Sequence, residues 1–327
     1  GADPGPAAYG RGGSRPTVTD ANVVLGYLDL SRRLGGAISL DRAAAEAALR
    51  PTAERLGVGI VELALGVQRI ASATMVRALS RVTVERGVDG RQCRLLAFGG
   101  AGPMHAARLA RDFGMSEFVV PRFSSGFSAL GCIVADMSHT QQQSVRMLST
   151  EWDTVRFAAI HESMRAALVD PLVRQGHGAD AVQVDRTALV RYVGQSYAVE
   201  VPFAMPLDLA TLGRDFRARH REIYGYATDE HWEMQSLRMR ALVPRRLAFD
   251  PPPAPGGKPE PTSVGPCWFD PSGPRETPRY DRDRLPPGAV LAGPAIVEDS
   301  WSTVVVPPGW VVSADAAGHL TIRETGA

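Results

Sequence analysis

Apolar positions along the first 143 residues follow two patterns that alternate. From Gly59 to about Arg86 they recur every three or four residues, which is typical of an amphipathic helix. Shorter apolar runs, at Leu95–Phe98 and Glu117–Pro121, predict buried strands. Because predicted helices and short strands alternate along this part of the chain, the sequence predicts an α/β region that ends near Gln143. Further helices are predicted at Ala21–Leu30, at Leu40–Arg55, from the turn near Gly102 to Gly114, and through Ala135-Asp136.

In the later part of the chain the apolar residues are spaced differently. Helical spacing at Trp152–Arg174 and Leu207–Tyr224 flanks alternating, strand-like stretches, which predicts an α+β region. Prolines and glycines cluster from Pro251 to Pro261 and predict a linker, and the short apolar runs after Pro278 predict a small β-rich module. We therefore expect four parts: 1–143 as an α/β domain, 144–250 as the α+β region, 251–277 as the linker and 278–327 as the β-rich module.

A glycine-rich turn joins the strand at Leu95–Phe98 to the helix that follows it. The sequence Phe98-Gly99-Gly100-Ala101-Gly102-Pro103 lacks the Lys-Ser/Thr pair of a P-loop and the spacing of a dinucleotide-binding fingerprint. Glycines let a ligand approach the backbone, and a helix start presents unpaired N–H groups to polar or negative atoms. A tight turn that only connects a strand to its packing helix has the same pattern, so both interpretations remain open.

Composition and charge exclude several classes of protein. The formal net charge is +1 and the arginines are scattered, so no nucleic-acid or membrane-surface partner is expected. Cys93, Cys132 and Cys267 are far apart, which predicts neither a zinc site nor a disulfide framework and suits a cytoplasmic location. We expect no signal peptide and no membrane span. The chain starts at Gly1 in a turn-rich stretch, so we expect that it begins inside a domain.

Several motifs, in order and at matching spacing over essentially the whole chain, resemble the hydantoinase A / 5-oxoprolinase family. The motifs are GADPGPAAYGRGG with PTVTDAN, ALGVQRIASATMVRALSRVTVERG, LLAFGGAGPMHAARLA, FSALGCIVADMSH, RYVGQSYAVEVP, Tyr280-Asp281-Arg282, GPAIVEDSWSTVVVPPGW and Gly318-His319-Leu320. The resemblance implies part of an ATPase domain of the actin/Hsp70/sugar-kinase type, followed by an α+β region and a β-rich C-terminal module. It is far more specific than the glycine-rich turn alone.

The resemblance also implies an activity. Members of this family act with a hydantoinase-B-like subunit and use ATP to open cyclic amides such as hydantoins or 5-oxoproline, and ketone carboxylases of the acetone and acetophenone type are built from related subunits. In the chemistry that this implies, phosphorylation of an amide oxygen or an enolate activates a poorly reactive substrate. We therefore expect a subunit of an ATP-dependent cyclic-amide hydrolase, with a subunit of a ketone carboxylase or a non-catalytic structural subunit as the alternatives.

Two departures from the family pattern matter. Its members carry an N-terminal half with a phosphate-binding Asp-Gly-Gly-Thr hairpin, and nothing in this sequence matches that hairpin. We therefore expect a partner chain that carries the missing half. Ala8 stands where the family pattern has cysteine, and we interpret this position as one of packing.

The resemblance assigns candidate site residues. It places the adenosine side of the nucleotide site at Gly99, Gly100, Ala101, Gly102 and Pro103. Asp3 is a candidate contact of the cofactor, and Asp20 and His105 are candidate catalytic residues. Asp3 or Asp20 would orient water or hold Mg²⁺ through water, since Mg²⁺ favours one or two carboxylates and retained waters. Capping and packing are the alternatives for Asp20 and His105.

Overall fold

Seven α-helices lie within residues 3–85, 87–245 and 256–326, which are the residues that the computed structural model describes. They are α1 (Val18–Val24), α2 (Arg42–Leu56), α3 (Ile60–Glu85), α4 (Gly102–Phe113), α5 (Phe127–Val134), α6 (Thr154–Arg174) and α7 (Leu209–Tyr224). The predicted helix at Gly59–Arg86 is confirmed as α3, although Arg86 itself lies outside the described residues.

The described ranges also contain thirteen β-strands in three sheets. They are β1 (Leu95–Leu96), β2 (Glu117–Val120), β3 (Met137–Leu148), β4 (Gln183–Tyr192), β5 (Val199–Pro202), β6 (Trp232–Val243), β7 (Ser263–Cys267), β8 (Arg275–Asp281), β9 (Val290–Ala292), β10 (Ala295–Glu298), β11 (Thr303–Val306), β12 (Trp310–Ala314) and β13 (Leu320–Glu324). The sheet orders are β1-β2-β13-β12-β9, β11-β10-β8-β7 and β3-β6-β4-β5. The chain divides into two compact units, Gly1–Cys132 with Phe249–Ala327 and Ile133–Ala248.

The first unit is built by strands that are far apart in the sequence. In its five-stranded sheet β1 and β2 are parallel, and β13 pairs antiparallel with β2, with Ile322 opposite Phe118. Phe118 and Trp310 are fully buried, with ring centroids 5.7 Å apart. Small residues of α4, among them Ala106 and Ala110, belong to the same core and let that helix lie close to the strands.

Helices α1, α2 and α3 cover the four-stranded sheet of the first unit. Their apolar residues share a core with Cys267, Ile296 and Val305 of β7, β10 and β11. The predicted helix Ala21–Leu30 is wrong at its end, because α1 stops at Val24. Gly26 has a φ of 79° and stands against the carbonyl of Pro266, so a tertiary contact ends the helix.

The second unit is an antiparallel sheet with two helices. Along β6, at its centre, burial alternates for most of the strand, as expected where one face is packed and the other is solvated. Asp153 and Asp208 cap α6 and α7 by accepting backbone N–H groups of the first turn. Phe216 of α7 is fully buried and meets Tyr192 edge-on, at 4.8 Å between ring centroids.

The observed units differ from the four predicted parts at several points. The expected boundary between 143 and 144 lies inside β3, and the helix predicted through Ala135-Asp136 ends at Val134. The C-terminal strands share a sheet with β2. Strand β7 occupies part of the predicted linker 251–277, of which residues 251–255 lie outside the described residues. Strand pairing over long sequence distances, which local patterns do not reveal, accounts for these differences.

Among the described residues no single helix is long and apolar enough to cross a bilayer. By length and composition alone, α2 and α3 would meet that test as a pair, bent by 90°.

Replacing Phe216 by alanine should lower the free energy of unfolding of the second unit by about 3–5 kcal/mol, since it removes a large side chain from a packed core. Urea unfolding followed by circular dichroism and fluorescence measures this loss. Ile223→Ala on the same helix is the matched control. Its side chain is half exposed, so a change within about 0.5 kcal/mol is expected. Equal losses in the two variants would contradict the assigned core.

Candidate functional site at a strand-turn-helix junction

The glycine-rich turn lies between β1 and α4, where the sequence predicts it. Helix α4 runs from Gly102 to Phe113 and ends at Gly114, which has a φ of 82°. Gly99 has a φ of 87°, a conformation that side-chain-bearing residues rarely adopt. Pro103 is buried in the first helical turn, where the N–H that it lacks has no partner inside a helix.

Two distant loops fix the backbone of this turn. The N–H of Gly99 donates to the carbonyl of Ser124 at 2.7 Å, and the hydroxyl of Ser302 donates to the carbonyl of Gly99 at 3.4 Å. A Cβ atom on Gly100 would lie 3.1 Å from the carbonyl oxygen of Trp301, so this position has little room for a side chain. The turn is therefore held in one conformation from both sides.

The outer side of the turn is open and offers hydrogen-bond donors. Gly100 and Ala101 are exposed. Within the described residues, no acceptor binds the N–H groups of Gly100, Ala101 and Gly102. These groups lie at the start of a helix, where backbone donors and the helix dipole favour polar or negatively charged atoms. The arrangement suits a ligand that accepts hydrogen bonds from the backbone.

His105 lies in the first turn of α4 and is buried, with 6% of its surface exposed. Its Nδ1 atom has no hydrogen-bond partner among the described residues. Burial lowers the pKa of the imidazole, so the neutral form is present at pH 7. The catalytic role expected for His105 stays a prediction. The structure adds that burial lowers the pKa of this ring and that its Nδ1 atom has no partner within the described residues.

Asp20 is engaged as a helix cap. Its Oδ2 atom accepts from the N–H and the hydroxyl of Thr17, at 2.8 and 2.7 Å, and Oδ1 accepts from the N–H of Ala8 at 2.8 Å. Thr17 in turn caps the start of α1 in a reciprocal capping box. Both carboxylate oxygens of this fully buried residue therefore have protein partners. Asp3, by contrast, is exposed.

Arg282 belongs to the motif Tyr280-Asp281-Arg282, but the sequence alone assigned it no role. Its guanidinium is buried and donates to the carbonyls of Val120 and Gly318, both at 3.0 Å, and to the hydroxyl of Ser124 at 3.4 Å. The carboxylate of Asp299 lies 4.0 Å away. Burial lowers the pKa of Arg282, yet a guanidinium remains charged under ordinary conditions.

The contacts of Arg282 reach both loops that hold the glycine-rich turn. Ser124 accepts from Gly99, and Asp299 accepts from the N–H of Ser302 at 2.7 Å. Arg282 is thus a positioning residue for the turn. The motif Tyr280-Asp281-Arg282 is the signal in the sequence that could have marked it.

Among the described residues, the other carboxylates and histidines form no candidate metal site. Asp136 accepts from the backbone N–H of Arg245 at 2.9 Å, which is a loop contact. Within the described ranges, no group of three or more His, Cys, Asp or Glu side chains is arranged to hold a metal ion.

Comparison with known proteins identifies the family. The family description Hydantoinase/oxoprolinase matches residues 1–141, and Hydantoinase/oxoprolinase C-terminal domain matches residues 273–325. The chain belongs to the hydantoinase/oxoprolinase family, which confirms the resemblance found in its motifs.

Individual relatives agree with this placement. The caprolactamase subunit alpha of Pseudomonas jessenii is 34% identical over 96% of this chain and 47% of its own length. The acetophenone carboxylase gamma subunit of Aromatoleum aromaticum is 32% identical over 99% of this chain and 47% of its own length. The chain thus spans about half the length of the curated relatives it matches.

A solved structure confirms the fold class. The crystal structure of the ATP-dependent caprolactamase from Pseudomonas jessenii matches with a TM-score of 0.80 and 32% identity, over 100% of this chain and 49% of that one. The predicted α/β fold, with part of an actin-like ATPase domain, is confirmed.

Replacing His105 by glutamine should weaken the dependence of stability on pH below about pH 6.5. Because the folded-state pKa of His105 lies below the unfolded value of about 6.5, the unfolded chain binds more protons as the pH falls. The stability contributed by neutral His105 is present above that pH and is lost as the pH falls below it. His161 is also buried, and its pKa is also lowered. The variant therefore keeps part of the dependence of the free energy of unfolding on pH. Urea unfolding between pH 5 and 7.5 measures how the free energy of unfolding depends on pH. An equal dependence in variant and wild type would contradict the lowered pKa of His105.

Proposed function

We propose that this chain is part of an ATP-dependent enzyme that opens cyclic amides, and that the turn Gly99–Pro103 forms the adenosine side of its nucleotide site. The observation that carries the proposal is the open turn itself. Two distant loops hold it, and within the described residues its backbone N–H groups at the start of α4 have no acceptor. The related caprolactamase from Pseudomonas jessenii is ATP-dependent, which supports the assignment of ATP as the cofactor.

The residues differ in how well they suit Mg²⁺ and the nucleotide. Both oxygens of Asp20 are occupied by protein donors, whereas the carboxylate of Asp3 is exposed. Mg²⁺ usually keeps several waters and is held by one or two carboxylates. Asp3 is therefore the better candidate to hold the ion through water, and Asp20 acts by fixing the segment from Ala8 to Thr17. ATP, when bound, would supply a phosphoryl group that activates the amide of the substrate.

The complete active site requires other polypeptide segments. The relatives are about twice as long as this chain and are named as subunits, which supports partner subunits in general. We propose two partners. One carries the N-terminal half of the ATPase domain with its Asp-Gly-Gly-Thr hairpin, and the other is a hydantoinase-B-like subunit. A cytoplasmic location is part of the same proposal.

A second candidate function is supported by the acetophenone carboxylase relative, which covers 99% of this chain at nearly the same identity as the caprolactamase subunit. In that case the assembled enzyme would carboxylate a ketone with bicarbonate and ATP. A structural subunit that binds no nucleotide is the third candidate.

Activity of the assembled complex separates these candidates. We expect ADP release that depends on a cyclic amide, tested with hydantoin, 5-oxoproline and caprolactam. ADP release that depends instead on acetone or acetophenone with bicarbonate would identify a carboxylase. A complex that binds no nucleotide at saturating ATP would identify a structural subunit.

Replacing Gly100 by valine should abolish nucleotide binding to the complex, measured by calorimetry or equilibrium dialysis with ATP. A β-branched side chain at Gly100 would crowd the carbonyl of Trp301, which lies 3.1 Å from the position of a Cβ atom, and would shift the backbone donors of the turn. Thermal unfolding of both proteins checks that the fold is kept. Gly66→Val in α3, where a Cβ meets nothing within 4 Å, is the control and should bind ATP as the wild type does. Retained binding in Gly100→Val would exclude this turn as the adenosine site.

A further inference from the structure

A cavity of about 260 Å³ lies between α3, α4 and the loops that follow β7 and β11. Most of its walls are apolar or aromatic, with Leu65, Met104, Phe269 and Trp310 among them. All of its lining residues belong to the first unit, and the turn Gly99–Pro103 is not among them. Because sites for drug-sized ligands measure roughly 300–1,000 Å³, this cavity suits a smaller molecule.

Charged side chains of both signs line the same cavity. Arg108, Arg111 and Asp112 come from α4, and Asp270 comes from the loop after β7. Burial raises the pKa of Tyr27, and of the charges nearby Arg108 lowers that pKa whereas Asp270 raises it. Arg108 and Asp270 therefore both lie close to the tyrosine hydroxyl in the wall of the cavity.

Two of these charges have only loose partners. Arg108 lies 3.5 Å from Asp112, and Asp270 lies 3.6 Å from Arg275. Both distances exceed the roughly 2.7–2.9 Å of a charge-assisted hydrogen bond. All four side chains are partly exposed, and ion pairs in such positions contribute little to stability. A ligand with well-placed charges would therefore compete easily for Arg108 and Asp270.

A buried donor in the cavity wall lacks an acceptor. Trp310 is 1% exposed, and its Nε1 atom has no hydrogen-bond partner within the described residues. Since buried polar atoms are nearly always paired, this atom calls for an acceptor from a bound molecule. Arg111 lies 5.6 Å from the centroid of the indole ring and pairs with Glu324 at 2.6 Å. Its charge is therefore already matched, which leaves Arg108 as the cation for a ligand.

We propose that this cavity binds a small amino acid, with its apolar chain between α3 and α4, its carboxylate on Arg108 and its ammonium group on Asp270. A guanidinium can bind a carboxylate with two parallel hydrogen bonds. The hydroxyl of Tyr27 donates to the carbonyl of Trp268 at 2.8 Å and keeps its lone pairs for an ammonium donor. A ligand with a single charge would leave one of the two opposite charges without a partner.

The product of the proposed reaction belongs to the same chemical class. When water opens a lactam, the C–N bond breaks, the carbonyl carbon gains a hydroxyl group and the nitrogen gains a proton. The carboxyl group then ionises and the amine is protonated, so one molecule carries both charges. This link to the product rests on the proposed function, whereas the cavity and its charges do not depend on it.

Calorimetry of the complete assembly with 6-aminohexanoate, which is formed when water opens caprolactam, tests the proposal. Arg108→Gln and Asp270→Asn should each raise the Kd at least tenfold, because each removes one of the two charges that bind the ligand. Arg42→Gln is the matched control. Arg42 pairs with Glu46 in the same i,i+4 manner as Arg108 with Asp112, is about equally exposed and lies outside the cavity. Its Kd should stay within twofold of the wild-type value.

Ligands with one charge supply the second measurement. Hexanoate and hexylamine should bind at least tenfold more weakly than 6-aminohexanoate. Asp270→Asn keeps an oxygen that accepts the N–H of Ser272, and thermal unfolding of each variant checks that the fold is kept. An unchanged Kd in Arg108→Gln, equal binding of hexanoate, or no binding by the wild type would overturn the proposal.

A further comparison separates this cavity from the nucleotide site. Gly100→Val, which should lose ATP, should bind 6-aminohexanoate as the wild type does. Binding that requires Arg108, in an assembly that releases no ADP with any cyclic amide, would refute the proposed function and leave this site intact. ADP release that depends on a cyclic amide, with 6-aminohexanoate binding that Arg108→Gln does not weaken, would do the reverse.

Discussion

The pairing of β13 with β2 is the interaction on which the rest of the first unit depends. It joins residues about 200 positions apart, with Leu320 opposite Val120, and closes a core around Phe118 and Trp310. Because β2 also pairs with β1, the strand that leads into the glycine-rich turn is anchored through the C-terminal strands. The turn looks like a local motif in the sequence, yet its position in space is set by the far end of the chain. Loss of the C-terminal strands would therefore remove the support of the glycine-rich turn as well as a part of the sheet.

Arg282 is a buried charge that helps to hold the glycine-rich turn in position. Taking a guanidinium out of water is costly, and the carbonyls of Val120 and Gly318 together with Asp299 offset that cost only while all of them are in place. A buried arginine with several partners therefore favours one arrangement of the surrounding loops over others. Since those loops also bind the backbone of Gly99, the geometry of the turn is coupled to the completeness of this hydrogen-bonded cluster.

Some of this architecture could be predicted from the sequence and some could not, for physical reasons. The glycine-rich turn, α3 and α4 follow from local rules, because helical spacing, Pro103 in the first turn and Gly114 at the end act over a few residues. The capping box from Thr17 to Asp20 is equally local, since its two members are three residues apart. Strand β3 escaped prediction because polar side chains such as Gln141 and Gln142 occur along both of its faces, which removes the alternation that marks a strand. The positioning role of Arg282 is visible only in three dimensions, because its partners Val120, Ser124, Asp299 and Gly318 are far from it or from one another in the sequence.

The assignment of the turn to the adenosine side comes from the family resemblance, and the chemistry of the turn is compatible with it. The turn offers backbone N–H groups and the positive end of a helix dipole, and the neighbouring imidazole of His105 is neutral because burial lowers its pKa. A helix start of this kind can bind an anion, but the Mg²⁺ ion of a triphosphate is held by carboxylates, which the turn Gly99–Pro103 does not contain. Backbone donors also suit the ribose and base, whose recognition depends on close approach and hydrogen bonds. This chemistry supports the proposal that the open, uncharged turn receives adenosine and that another segment supplies the charged groups for the phosphates.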